Sequence, residues 1–144
     1  MIPIKHLMHI NVKIEEVFSA ISDENKLKEW YTTGVVGNFE KNKIVSFEFV
    51  NFATFKFKII TFEPNQSIHF ECIESEWGNI GHVMKYDLDE NDGKTRVRYS
   101  YEGFSEMDDS YSNMNFSSGK YLESLRQYCQ TGVGEAFGSP NYRS

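Results

Sequence analysis

The amino-acid sequence predicts an α+β domain in which an antiparallel sheet of about six to seven strands is covered on one face by helices. From Val35 to Tyr101, apolar and polar residues alternate almost throughout, which is typical of strands with one buried face. From Met114 to Cys129, apolar residues recur at three- and four-residue spacing, which predicts a long helix ending at Gly132. Strands and long helices do not alternate, so a parallel sheet is disfavoured. A chain of 144 residues suits one such domain.

The first predicted elements precede the alternating region. Lys5–Val12 alternates and predicts a strand. Ile14–Ile21 then changes to helical period, with two glutamates in the first turn, where the helix dipole favours negative charge. Ser22–Asp23 interrupts this helix and offers a cap for a second short helix, Glu24–Trp30. We therefore expect two short helices directly after the first strand.

The alternating region supplies the remaining strands and their inner face. Glu63–Gln66 and Glu90–Gly93 predict turns, the second because Asp-Gly accepts positive φ angles. The adjacent Ile59 and Ile60 predict a bulge that moves Phe62 to the inner face. The other residues predicted to face inward are Val45, Phe47, Phe49, Phe55, Phe57, Ile59, Ile68, Phe70, Cys72, Met84, Tyr86, Leu88, Val97, Tyr99 and Tyr101.

The long helix is predicted to cover this sheet. Burying five of its large side chains would contribute roughly 8–15 kcal/mol before entropy is counted. Residues 133–144 are rich in Gly, Ser, Pro and Asn, so we expect them to fray and assign the domain to residues 1–132. The apolar face of the helix comprises Met114, Ser118, Tyr121, Leu122, Leu125, Tyr128 and Cys129.

Composition narrows the classes of function. The formal net charge of −6 argues against a protein that binds nucleic acid regardless of sequence. The N-terminal residues do not resemble a signal peptide, and no apolar run is long enough to span a membrane, which favours a cytoplasmic location. Cys72 and Cys129 form no CxxC pair and are expected to be buried thiols. Motifs for metal binding, phosphate binding and a nucleophilic serine are absent from the sequence, so we expect no cofactor and no metal.

Several segments, taken in order, carry a family resemblance over nearly the whole chain. They are Ile14–Asp23, Leu27–Trp30, Phe62–Phe70, Gly93–Phe104 and Tyr121–Gly132. Together they resemble homologues of the activator of heat-shock-protein-90 ATPase, within the START-like (SRPBCC) superfamily. The resemblance implies the helix-grip fold, with a cavity between sheet and helix. Across the superfamily, such cavities are used for lipids and other hydrophobic molecules and sometimes for catalysis.

The candidate ligand-binding residues surround that expected cavity. They form either an aromatic pocket whose hydroxyls orient a mostly apolar ligand, or a packed core whose hydroxyls reach the rim or the backbone. Trp30 is either a structural anchor or a contact at the entrance. Ser117 and Ser118 stand where the family commonly has Gly-Trp, a departure that would leave room or polarity at the inner face near Ser118. Ser118→Trp is therefore expected to fill the cavity and weaken ligand or dye binding while leaving the fold intact. The full set is Trp30, Phe47, Phe57, Phe70, Met84, Tyr86, Tyr99, Tyr101, Ser118, Tyr121 and Leu122.

Three functions remain open from the sequence. The first is binding of a small hydrophobic molecule without catalysis, by a monomer or a homodimer. The second is an enzyme of the cyclase or hydrolase kind, which needs an acid or base inside the cavity, such as Glu71, Glu74 or His69. Glu74 and Glu76 also cluster with Trp77 and His82 around a turn, a group that could transfer protons but is more typical of a solvated turn. The third function is that of a co-chaperone, acting through its surface on a chaperone ATPase.

Overall fold

The computed structural model describes residues 1–143 and confirms the predicted α+β architecture. Two short helices follow the first strand, and a long helix follows the last strand. The elements are β1 (Ile4–Ile10), α1 (Ile14–Ser22), α2 (Glu24–Trp30), β2 (Gly34–Val36), β3 (Ile44–Phe49), β4 (Ala53–Glu63), β5 (Ser67–Ser75), β6 (Val83–Asn91), β7 (Lys94–Glu102) and α3 (Asp109–Thr131).

The strands form one seven-stranded antiparallel sheet in the order β1-β7-β6-β5-β4-β3-β2. The first strand pairs with the last, so β1 and the short β2 occupy the two edges. The register places Met84 between Phe70 of β5 and Tyr101 of β7. Because cross-strand partners share a face, the predicted inner residues line up in rows across the sheet. These rows form one wall of the core.

The register between β4 and β5 shifts at two places. One shift lies between Ile59 and Thr61, which confirms the predicted bulge, and it turns Phe62 toward the inner face. There the Phe62 ring packs edge-on against Phe18 of α1, with the ring centroids 5.4 Å apart. The second shift, next to Phe57, was not predicted from the sequence.

Helix α3 ends where the sequence predicts and begins earlier. Gly132 terminates it in the left-handed conformation, with φ of 86°, as expected for a C-terminal glycine. The predicted start at Met114 is wrong, because the helix begins at Asp109. The Asp108 carboxylate caps it by accepting a hydrogen bond from the Tyr111 N–H at 3.0 Å. The added first turn is mostly exposed and therefore shows no apolar periodicity.

The segment after α3 docks on the domain. The Phe137 N–H donates to the Tyr31 carbonyl at 2.9 Å, and Ala136 is completely buried. The expectation that residues 133–144 fray therefore needs correction over its described part, because backbone hydrogen bonds and burial hold this segment in place. Ser144, the end of that segment, lies outside the described residues.

Candidate functional site

Most of the predicted ligand-binding residues lie buried between the sheet and α3. The rings of Phe47, Phe57 and Phe70 have centroids 5.7 to 6.2 Å apart and are at most 5% exposed. Tyr86 continues this row, 6.4 Å from Phe70 and 5.2 Å from Tyr99. These rings fill the space between the layers by contacting one another. At this level the interior is a packed aromatic core, which was one of the two alternatives left open by the sequence.

Trp30 has the geometry of a structural anchor. Its side chain is completely buried, and its indole N–H donates to the Ala20 carbonyl at 2.8 Å. The Ser124 hydroxyl donates to the Trp30 carbonyl at 2.8 Å. This placement favours the anchor over a ligand contact at an entrance. The remaining predicted residues, all buried except the half-buried Tyr121, are Met84, Tyr101, Ser118, Tyr121 and Leu122.

A group of tyrosines, named here the tyrosine cluster, converges within the core; its members are Tyr31, Tyr86, Tyr99, Tyr101 and Tyr121. Burial raises the pKa of Tyr31 well above its usual value, and the nearby hydroxyls of the other four raise it further. The Tyr31 ring meets the Tyr121 ring edge-on at 5.0 Å. Tyr31 is half-buried and was missed by the sequence analysis, since it follows α2 and belongs to no alternating strand. The cluster therefore combines β6, β7 and α3 with the end of α2.

Two hydroxyls of the tyrosine cluster have good hydrogen-bond partners. The hydroxyl oxygens of Tyr99 and Ser118 lie 3.1 Å apart and share a hydrogen bond. Burial raises the pKa of Tyr99 to about 12. The Tyr101 hydroxyl accepts from the Asn79 amide at 3.3 Å and lies 3.0 Å from Nδ1 of His82. Burial lowers the pKa of His82, which favours the neutral imidazole and allows Nδ1 to accept the Tyr101 proton.

The Tyr86 hydroxyl has a much weaker partner. Tyr86 is 4% exposed, and its hydroxyl reaches the thioether sulfur of Met84 at 4.0 Å. Thioether sulfur is a weak acceptor. Burial raises the pKa of Tyr86 well above its usual value, so this hydroxyl keeps its proton and stays a donor.

The turn cluster suggested by the sequence is only partly assembled. His82 packs edge-on against Tyr101, with centroids 5.4 Å apart. The Glu74 side chain is 66% exposed. Trp77 packs against Phe52 at a tilt, with the ring centroids 4.8 Å apart, and remains 56% exposed. His82 therefore borders the core, whereas the rest of this group lies in solvent, as is typical of a surface turn.

The acid or base required by the enzyme hypothesis does not face the tyrosine cluster. His69 and Glu71 alternate with the buried residues of β5 and lie on the opposite face. Nε2 of His69 is 2.8 Å from the Asp87 carboxylate, which also accepts a hydrogen bond from Ser67 at 2.7 Å. Because the serine bonds to the aspartate and not to the imidazole, this group differs from a Ser-His-Asp triad. Apart from the aromatic residues, the buried polar side chains within residues 1–143 are Thr32, Thr95, Ser118 and Ser124, none of which is an acid or a base.

A cleft of about 660 Å³, named here the α3 cleft, lies along the outer flank of α3. The docked C-terminal segment forms one side of it, so sequence reasoning that assigned this segment as frayed could not find it. Its wall at β1 is His6, whose Nε2 is buried and has no hydrogen-bond partner in the described part of the chain. Its other walls include Phe116, Lys120, Tyr121, Tyr142 and Arg143.

Other expectations concern membranes, metals and thiols. None of the helices within residues 1–143 is both long and apolar enough to cross a membrane. In the same residues, no three metal-ligating side chains come together as a site. Cys72 and Cys129 are free thiols, the first buried and the second half-buried.

Comparison with known proteins places this geometry in context. The model of the family described as Activator of Hsp90 ATPase homolog 1-like protein matches residues 11–130. The fold is similar to the Aha1 dimer from Colwellia psychrerythraea, with a TM-score of 0.86 and 23% identity over 93% of this chain and 100% of that one. It is also similar to SSP2350 from Staphylococcus saprophyticus, with a TM-score of 0.78 and 23% identity over 92% and 95% of the two chains.

A third solved structure has the same fold. CalU16 from Micromonospora echinospora has a TM-score of 0.74 and 18% identity over 96% of this chain and 77% of its own. At such identities the similarity shows the fold alone. No curated protein matches the sequence.

Proposed function

The chain belongs to the family of Activator of Hsp90 ATPase homolog 1-like proteins, and we propose that it binds a small, mostly apolar molecule at the tyrosine cluster. The observation that carries this proposal is the Tyr86 hydroxyl, which is buried and, among residues 1–143, has only the Met84 sulfur, at 4.0 Å, as its partner. A buried donor without a good acceptor costs about 1–3 kcal/mol. A ligand that brings a carbonyl or hydroxyl oxygen next to Tyr86 would supply that acceptor.

The surroundings of Tyr86 define the class of ligand. The neighbouring rings of Phe70 and Tyr99 would contact an apolar body. Burial raises the pKa of Tyr99 to about 12, so its hydroxyl is neutral near neutral pH. With no charged side chain among the buried residues described, an ionised ligand would stay uncompensated there. The chemistry therefore favours a neutral molecule with an apolar body and one oxygen acceptor.

Ligand entry requires the rings to separate, because the described core is closely packed. Tyr31 and Tyr121 are the half-buried members of the cluster and meet edge-on at 5.0 Å. We place the entry route between them, since the other members lie deeper. Entry by this route requires free energy to separate the Tyr31 and Tyr121 rings. Contacts between the ligand and the protein must offset that free energy.

Mass spectrometry and a fluorescent naphthyl ketone test this proposal. Native spectra of freshly purified protein should show a bound small molecule that is lost on denaturation. The ketone carbonyl can accept from Tyr86, so Tyr86→Phe should weaken dye binding by about fivefold to tenfold, the equivalent of one buried hydrogen bond. Tyr128→Phe, the same change on a partly exposed side chain of α3, should bind the dye as wild type does. The proposal would be refuted if Tyr86→Phe and Tyr128→Phe bound the dye with equal affinity and the native spectra of the wild type showed no bound molecule.

A second candidate function follows from the family description and one surface feature. Phe52 and Trp77 are each 56% exposed, and their ring centroids lie 4.8 Å apart. Together they form an apolar patch that a protein partner could cover. Activation of a chaperone ATPase through this patch is tested by adding the purified protein to that ATPase. Stimulation that disappears in Trp77→Ala supports it, and no stimulation by the wild type disposes of it. Light scattering during the same purification distinguishes monomer from homodimer.

A further inference from the structure

The carboxylates that line the α3 cleft are both neutralised by arginines. Glu123 accepts from Nε and Nη2 of Arg126 at 2.7 and 2.5 Å. These hydrogen bonds hold the pKa of Glu123 below its usual value. Glu135 accepts from Nη2 of Arg143 at 2.7 Å. The cleft therefore presents little net negative charge, although two glutamates border it.

Within residues 1–143, Lys120 is a cation at the cleft that has no carboxylate partner. Its Nζ donates to the Arg143 carbonyl at 2.7 Å. It lies 4.9 Å from the centroid of Tyr142 and 5.8 Å from that of Phe116. These contacts hold the ammonium between two aromatic rings. Since an ammonium has three N–H donors, two remain for another acceptor.

The aromatic walls add an apolar surface beside this charge. Phe116 is 70% exposed on α3, so packing inside the domain does not account for its position. Tyr142 is supported by Phe137, with ring centroids 5.0 Å apart, and is brought to the cleft by the docked C-terminal segment. An exposed ring beside an ammonium that has no carboxylate partner in the described part of the chain matches a molecule with an apolar ring and one negative group.

We infer that the α3 cleft binds a small organic anion, with its carboxylate at Lys120 and its apolar body against Phe116 and Tyr142. The cleft, at about 660 Å³, is large enough for a molecule of this class. This inference concerns a charged ligand bound at Lys120, whereas the interior proposal concerns a neutral ligand at Tyr86. Tyr121 borders both places.

Phenylacetate and phenylacetamide form a matched pair of probes, because they differ only in the charge and the polar head. Phenylacetate should perturb the backbone amide resonances of Gly119, Lys120 and Glu135, and phenylacetamide should bind more weakly. Lys120→Met keeps most of the aliphatic stem and should weaken phenylacetate binding about tenfold, as expected on losing one charge-assisted hydrogen bond. It should leave phenylacetamide binding unchanged. Lys120→Arg should restore part of the phenylacetate affinity, and Lys41→Met, at an exposed lysine outside the cleft, should have no effect.

The outcomes separate this site from the tyrosine cluster and from a purely structural role of Lys120. Equal binding of both probes, or unchanged phenylacetate binding in Lys120→Met, would overturn the inference. Perturbations confined to Tyr86 and Tyr99 would also overturn it, while leaving the interior proposal standing. If Lys120 serves only to hold the C-terminal segment through Arg143, Lys120→Met should accelerate hydrogen exchange there, with no probe bound to the wild type.

Discussion

Ser124→Ala should release the C-terminal segment and destabilise the whole domain. Ser124 lies on α3 and is 2% exposed. Its hydroxyl donates to the Trp30 carbonyl at 2.8 Å and accepts from the Glu135 N–H at 2.7 Å. A single side chain therefore ties the last helix to the end of α2 and to the segment that follows α3. Alanine keeps the helix and removes both hydrogen bonds.

The loss of stability follows from the two backbone groups that lose their partner in Ser124→Ala, the Trp30 carbonyl and the Glu135 N–H. Each buried donor or acceptor without a partner costs about 1–3 kcal/mol. Better helix propensity of alanine returns only about 0.5 kcal/mol. The free energy of unfolding should therefore fall by about 2–5 kcal/mol, a large part of the roughly 5–15 kcal/mol typical of a domain. A drop of roughly 10 °C in melting temperature corresponds to this loss.

Urea unfolding followed by tryptophan fluorescence measures the loss, because Trp30 is completely buried in the folded state. Hydrogen exchange should show faster exchange at the Glu135 and Phe137 amides, which the intact segment protects. Ser112→Ala is the matched control, since Ser112 is an exposed serine of the same helix. Equal stability of the two variants, or unchanged exchange in the segment, would refute this account of how it is held.

The remaining predictions concern the core and its titrating groups. Leu125→Ala, at a completely buried position, should lower the free energy of unfolding by about 2–5 kcal/mol in a chemical melt, whereas a change within error would show that α3 does not cover the sheet. Burial raises the pKa of Cys129 to about 12, so its thiol should react with a disulfide reagent far more slowly in the folded protein than in urea. Burial raises the pKa of Tyr99 from 10.0 to about 12. The resulting contribution to the free energy of unfolding, about 3 kcal/mol, is complete below pH 10 and is lost as pH rises through 12. Tyr99→Phe should flatten that alkaline decline in unfolding free energy, and an unchanged decline would contradict the assignment.

The inner face of the sheet could be predicted because strand geometry leaves little choice. Successive side chains on a strand point to opposite faces, so one apolar face determines the orientation of every residue. Phe70 and Met84, predicted to face inward, are 1% and 4% exposed. The same logic at helical period assigned Leu122 and Leu125 to the inner face of α3, and both are buried. The bulge near Ile59 could also be predicted, because two adjacent apolar residues interrupt the alternation of the strand.

Contacts between segments far apart in the chain produce no comparable pattern in the local sequence. Gly134 illustrates the difficulty, because a Cβ there would lie 2.6 Å from the Glu29 carbonyl oxygen, so only glycine allows this close approach to α2. In the sequence the same glycine is indistinguishable from a flexible linker residue. Ser124 likewise lies outside the predicted apolar face of α3, so the sequence gives no reason to expect it to be buried. The α3 cleft depends on this docking, which is why it could not be anticipated from local composition.

Ser118 shows how far one departure from a family pattern can be interpreted. The exchange for the family's usual tryptophan predicted either room or polarity at the inner face. The structure supplies polarity, since Ser118 is 5% exposed and its hydroxyl oxygen lies 3.1 Å from that of Tyr99. An indole at this position would enter a filled core and displace the Tyr99 hydroxyl from its partner. Overpacking alone costs about 1–3 kcal/mol, so Ser118→Trp should destabilise the domain, contrary to the expectation that it leaves the fold intact. Its effect on dye binding therefore reports on the interior site only after the loss of stability has been measured and allowed for.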